Sequence, residues 1–331
     1  MSFRGYVVAH IAAAEYVVSE SCFLKGVRMT SSVNAIVGLD GLVDSAAEVT
    51  RLDAGSIWAE GPVWIPERRS VRWSDIPGNQ ILEYSVVSKT TTIYQSEVEF
   101  TNGRTLDRDG TVIQCSHGRR RIERDTDGTV TTIVESWNGV RLNSPNDVVV
   151  AGDGSIWFTD PTYGITVDRE GHPGELEYGD CYVFRHDPMS GATTPVIIDM
   201  EQPNGLAFSP DEQILYVSDT SGAWRTDDIG NHHIMAYDIR EGHCKNGRVF
   251  AIVTPGLSDG IRVDEAGNVW TSSANGIQVY SPEGAQLGSV LIPEVVANLC
   301  FGGDDGTELF IAASTSLYHV PTLTRAAARA Q

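Results

Sequence analysis

The stretch NSPNDVVVAGDGSIWFTD, residues 143–160, decides the fold. Its second half is an apolar strand running from Ser155 to Thr159, introduced by an Asp-Gly turn. Its first half sets a polar pair, Asn146 and Asp147, directly ahead of Val148, Val149 and Val150, where a strand should simply be starting. A polar head, a short strand, a glycine turn and a second strand make one unit, and that unit recurs.

NGRTLDRDG (102–110), NDVVVAGDG (146–154) and DGIRVDEAG (259–267) align without gaps, each with glycine at the eighth position after the head. The second strands that follow are VIQC (112–115), IWFT (156–159) and VWTS (269–272). NGLAFSPDEQILY (204–216) and NLCFGGDDGTELF (298–310) repeat the pattern with one extra turn residue, and EGPVW (60–64) with VRWS (71–74) opens the series. The six heads, at 60, 102, 146, 204, 259 and 298, are spaced by 42, 44, 58, 55 and 39 residues. A period near 40 residues built from short strands predicts an all-β chain, a six-bladed β-propeller with four-stranded blades around a central channel. Third strands are expected at 81–84, 182–185, 234–238, 277–280 and 317–320. The two long steps carry inserts, Thr162–Asp180 and Thr220–His233, on the face where inserts roof a pocket. Residues 47–53 are expected to complete the sixth blade, closing the ring with both chain ends.

The innermost strand of a blade lines the channel, so six polar heads form one ring at its mouth: Glu60, Asn102, Asn146, Asn204, Asp259 and Asn298. Left unpaired among apolar neighbours they would be costly to bury. All are oxygen donors, two of them charged, with no Cys or His. That chemistry suits a hard divalent cation bound at roughly 2.3–2.6 Å, calcium foremost, with zinc, manganese and magnesium as alternatives. Asp147 is placed to brace Asn146. Asn and Asp also satisfy local backbone as turn formers, but six equivalent placements favour the cation.

Composition bounds the rest. The chain has 331 residues, 41% hydrophobic, and a formal charge of 24 − 44 = −20, which disfavours nucleic acid. Cys22, Cys115, Cys181, Cys244 and Cys300 are scattered with no C-x-x-C pair, as expected for reduced thiols. The apolar stretch YVVAHIAAA (6–14) resembles a weak signal segment but is interrupted by His10, ended by Glu15 and too short to span a membrane. Residues 1–40 are expected to be a poorly ordered or helical extension, with Met29 as an alternative start, and 41–331 the propeller domain. The expected location is the cytoplasm, with the periplasm as alternative. Two motifs are decoys. GLSDG (256–260) matches a nucleophile elbow but leads into a strand rather than a helix, and DTDG (125–128) reads as a hairpin turn.

Taken together, EGPVW (60–64), CSHGRRR (115–121), NSPNDVV (143–149), WFTDPTYG (157–164), PNGL (203–206), SDGI (258–261) and TSLY (315–318) resemble bacterial gluconolactonases of the regucalcin/gluconolactonase/luciferin-regenerating-enzyme superfamily. The resemblance covers about residues 45–322. It implies one divalent cation held by Glu60, Asn204 and Asp259, with Asn146 as fourth contact or touching substrate, and hydrolysis of a sugar lactone of the glucono-1,5-lactone type to the aldonic acid. Asp259 is expected as the general base or as the group that orients the water, with His117 a second candidate, and Asn102, His117, Asp147, Asp160 and Tyr163 are expected on the substrate side. Regucalcin-like members carry arginine where this chain has Ser144, so substrate contacts should differ. Expected partners are thus a small-molecule lactone, with no nucleic acid or membrane, in a monomer or weak homodimer. The competing readings are an aryl-ester or organophosphate hydrolase on the same metal, and a ligand-binding propeller without catalysis.

Overall fold

Short strands rich in β-branched and aromatic residues, each ended by a glycine or Asp-Gly turn, pair with their sequence neighbours into four-stranded antiparallel meanders. The computed structural model describes residues 35–224 and 230–328. Six such meanders are found, the blades of a β-propeller. Blade 1 holds Ala59–Ile65, Ser70–Asp75, Gln80–Ser85 and Thr90–Ser96, and blade 2 holds Thr101–Leu106, Val112–Ser116, Arg121–Thr126 and Thr129–Val134. Blade 3 is built from Val148–Val150, Ile156–Asp160, Tyr182–Asp187 and Ala192–Ile197, and blade 4 from Pro203–Phe208, Ile214–Asp219, His233–Arg240 and His243–Ile252. Blade 5 comprises Ile261–Val263, Val269–Ser273, Gly276–Tyr280 and Gln286–Leu291.

Blade 6 takes Val296–Gly302, Glu308–Ala313 and Ser316–Pro321 from the end of the chain and its outer strand, Thr50–Ala54, from the beginning. That is the expected closure: Thr50 faces His319 and Ala54 faces Ser316. Ile36–Val37, which the sequence assigned to the extension, instead adds a fifth strand to blade 5, pairing with Val290 and Ser289. The reason is apolar: Ile36, Leu39 and Val43 are buried in a cluster with Trp270, Val290 and Ile311. The rest of the expected extension, residues 1–34, lies outside the described residues.

The core lies between blades, where apolar faces of neighbouring sheets meet. Val71, Trp73 and Leu82 of blade 1 pack on Phe310 and Leu317 of blade 6, and Ile113 and Ile122 of blade 2 pack on Val148 and Phe158 of blade 3. The Asp125–Gly128 segment is a hairpin turn, and Ser258 is buried with its hydroxyl 2.7 Å from that of Thr271, so neither decoy is a site. Cys115, Cys181, Cys244 and Cys300 are free thiols. Among the described residues no helix is long and apolar enough to cross a membrane.

Candidate active site

The six heads stand where regular pairing stops. In blades 1, 2, 4 and 6 the inner strand breaks register between Glu60 and Val63, Thr101 and Arg104, Pro203 and Leu206, and Val296 and Asn298. In blades 3 and 5 the inner strand begins only after the head, at Val148 and Ile261. Such irregularities re-aim side chains away from the sheet. Each head is then tied to the next blade. The Ser74 hydroxyl donates to Asn102 O (3.1 Å), Gly103 N to Asn146 O (2.8 Å), and the Thr159 hydroxyl to Asn204 O (2.7 Å). Gly205 N donates to Asp259 O (3.1 Å), Gly260 N to Ala297 O (2.8 Å), and the Asn298 amide to Glu60 Oε2 (3.0 Å), which completes the circle. Glycine follows four of the heads because the chains approach too closely for a side chain. A Cβ on Gly205 would lie 2.0 Å from Asp259 O, and one on Gly61 would lie 2.4 Å from Asn102 O.

Five heads are buried; Asp259 is half-buried and so is the ring carboxylate that solvent reaches. Burial, and then the neighbouring Asp147 carboxylate, push the Glu60 carboxyl up to about 7. Burial also raises Asp259, with Glu60 and Asp147 adding repulsion. Asp147 lies just behind the ring and is raised mainly by its burial. Its counter-charge is Arg262, whose Nη1 is 3.7 Å from Asp147 Oδ2. Three carboxylates, Glu60, Asp147 and Asp259, therefore crowd one channel, with Arg262 beside Asp147 and the Asn298 amide on Glu60. Two buried oxygens, Asn102 Oδ1 and Asp147 Oδ2, lack a hydrogen-bond partner. Mutually repelling carboxylates and an all-oxygen donor set fit a hard divalent cation. Among the described residues no group of three or more Asp, Glu, His or Cys side chains is placed to hold a metal ion, so a cation here would need amide oxygens as well.

The other expected site residues fall in two groups. His117 has no exposed surface; its Nδ1 donates to Glu170 O (3.0 Å) and its Nε2 accepts from the Asn102 amide (3.2 Å). Burial pushes this imidazole down to about 4, so it is neutral. Asp160 is also fully buried, and its oxygens accept from Asn143 N (2.7 Å), Ser144 N (2.7 Å) and the Tyr178 hydroxyl (2.6 Å). Its carboxylate holds the turn that leads into Asn146. Tyr163 opens a helical turn, Tyr163–Thr166, and its hydroxyl bonds the hydroxyl of Thr220, which also accepts from the Asn204 amide at 3.3 Å. Sequence reasoning missed Arg262, Tyr178, Glu170 and Thr220. Three of them, Glu170, Tyr178 and Thr220, sit in the inserts that were expected to roof the channel, and that was their only signal. Two surface hollows, about 410 and 350 Å³, lie at Trp64–Phe301–Arg325 and at Trp157–Phe208–Glu212. Neither contains a ring residue, and the channel mouth is the better candidate because its polar groups converge.

The family model described as the SMP-30/Gluconolactonase/LRE-like region matches residues 58–315, a span that holds all six heads. The chain belongs to this family. Within the SMP-30/gluconolactonase family it is 29% identical to a gluconolactonase of Zymomonas mobilis, over 86% of this chain and 84% of that protein. It is 30% identical to a pentonolactonase of Haloferax volcanii, over 80% of this chain and 84% of the other. A solved gluconolactonase structure from Xanthomonas campestris superimposes with a TM-score of 0.80 at 36% identity, covering 86% of this chain and 92% of that one.

Proposed function

We propose that the protein hydrolyses a sugar lactone of the glucono-1,5-lactone type to the aldonic acid, using one divalent cation, calcium, held by Glu60, Asn146, Asn204 and Asp259. The observation that carries the reading is the convergence of Glu60 and Asp259 on one channel, linked around it through the amides. Family members named gluconolactonase and pentonolactonase support the substrate class. A bound cation would polarise the lactone carbonyl and stabilise the oxyanion that develops on attack. Asp259, the ring carboxylate open to solvent, takes a proton from water as the water oxygen bonds the carbonyl carbon. Collapse of the tetrahedral carbon breaks its bond to the ring oxygen. That oxygen receives the proton from Asp259 and leaves as a hydroxyl on the same molecule, so one lactone and one water give one aldonic acid. Asp147 and Arg262 lie behind the ring and fix its charge balance. Free thiols and a small-molecule substrate fit a cytoplasmic enzyme.

The test is hydrolysis of glucono-1,5-lactone followed with a pH indicator, with calcium, manganese, zinc, magnesium or chelator. Chelation should abolish turnover and calcium restore it. Asp259→Ala and Glu60→Ala should each reduce kcat/KM by about 10³-fold or more. Full activity in chelated protein would end the metal assignment, and binding of lactone without hydrolysis would favour a non-catalytic propeller.

A further inference from the structure

The Asn102 amide is a ring group whose orientation is dictated from outside the channel. A histidine nitrogen facing a carbonyl must carry the proton, so His117 Nδ1 donates to Glu170 O at 3.0 Å. The other nitrogen of a neutral imidazole is then an acceptor, and it takes the Asn102 Nδ2–H at 3.2 Å. With the NH₂ end held by His117, Asn102 Oδ1 is turned away from it, buried and without a partner. The carbonyl that fixes the imidazole belongs to the insert between Ile156–Asp160 and Tyr182–Asp187, and Gly164 of the same insert packs against His117: a Cβ there would lie 2.5 Å from His117 Cβ. Elsewhere on the ring the construction recurs. The Asn204 amide donates to the Thr220 hydroxyl, which bonds Tyr163, again a residue of that insert.

We propose that His117 is a positioning residue: it locks Asn102 so that Oδ1 accepts a hydroxyl of the polyhydroxylated lactone, and the 162–180 insert holds His117 in that role. This rests on the lactonase reading for the identity of the ligand, but the relay itself does not. A hydroxyl donor is the group that an orphaned amide oxygen requires, and a sugar lactone supplies several. His117 contacts no substrate; it acts through Asn102.

Two measurements on the full chain separate the parts. Long-range ¹H–¹⁵N spectra of the imidazole side chains, with His117 assigned by its loss in His117→Gln, should show an Nδ1–H neutral ring at pH 6. An Nε2–H ring, or an imidazolium at that pH, overturns the relay whether or not the protein hydrolyses lactones. In steady-state hydrolysis of glucono-1,5-lactone, His117→Leu should raise KM about tenfold with kcat within about threefold. His117→Gln, whose amide can both donate to Glu170 O and accept from Asn102, should return KM to within about threefold of the parent. A merely structural histidine would lower thermal stability in both variants and leave KM alone, and that outcome overturns the proposal. If His117→Leu does not fold, Asn102→Asp replaces it: the carboxylate cannot donate to Nε2, so the ring should become doubly protonated at pH 6 and KM should rise. An unchanged His117 spectrum in that variant also overturns the proposal. An inactive parent protein with the Nδ1–H ring would remove the lactone reading and leave the relay standing.

Discussion

Asp160 has no exposed surface, and three donors converge on its two oxygens. Burial nevertheless pushes its carboxyl up to about 7. Its work is local: it holds Asn143 and Ser144, and through them the entry to Asn146. Asp160→Asn puts an NH₂ group against donors and should cost about 2 kcal/mol in urea unfolding, with a raised KM for lactone. His117 gives a pH signature. Its ring is pushed from an ordinary 6.5 to about 4 by burial, so the unfolded chain binds a proton between those values and the native protein does not. Charging the buried His117 ring therefore costs the folded protein about 3 kcal/mol below about pH 4, and that cost fades as pH rises to 6.5. Unfolding free energies measured from pH 4 to 7 should show a shallower rise for His117→Gln than for the parent. The ring heads were legible in the sequence because each precedes a strand at a repeated offset. The roles of Asp160 and His117 were not, because a polar residue in a motif reads the same whether it faces a ligand or braces its neighbour. Arg262 was hidden for a related reason: it looks like an outward strand residue until the circle closes and sets it beside Asp147.

At the scale of the element, the inner strands do two things at once. They pair regularly over their apolar stretch and either lose register at the head, in blades 1, 2, 4 and 6, or begin after it, in blades 3 and 5, which frees one oxygen-bearing side chain per blade. The glycine after the head lets adjacent inner strands touch. Gly205→Ala would drive a Cβ into Asp259 O and should cost about 3 kcal/mol, while shifting Asp259 enough to reduce turnover at least tenfold. Thermal unfolding and lactone kinetics on the same sample would check both. The period of the strands was readable from alternation and turn glycines. The fifth strand of blade 5 was not, because two residues, Ile36 and Val37, carry too little pattern to distinguish a strand from a linker.

The whole molecule depends on Thr50–Ala54, the strand that joins the chain's beginning to its last blade. Removing residues 1–54 would expose the backbone of Ser316–Pro321 as an open edge. The expected result is a melting temperature lower by about 10 °C or more, with oligomers in size-exclusion chromatography; an unchanged melting curve would mean the closure is dispensable. This closure was legible at residues 47–53, since a lone strand before a run of complete units has only the unfinished last unit to join. The same circular build has an evolutionary corollary. Because each blade contributes one head at an equivalent point of its own strand, Asn204→Asp or Asn146→Asp would alter the ring's formal charge without asking any other blade to move. Ion preference could thus drift by single codon changes, inherited blade by blade, while the scaffold stayed put.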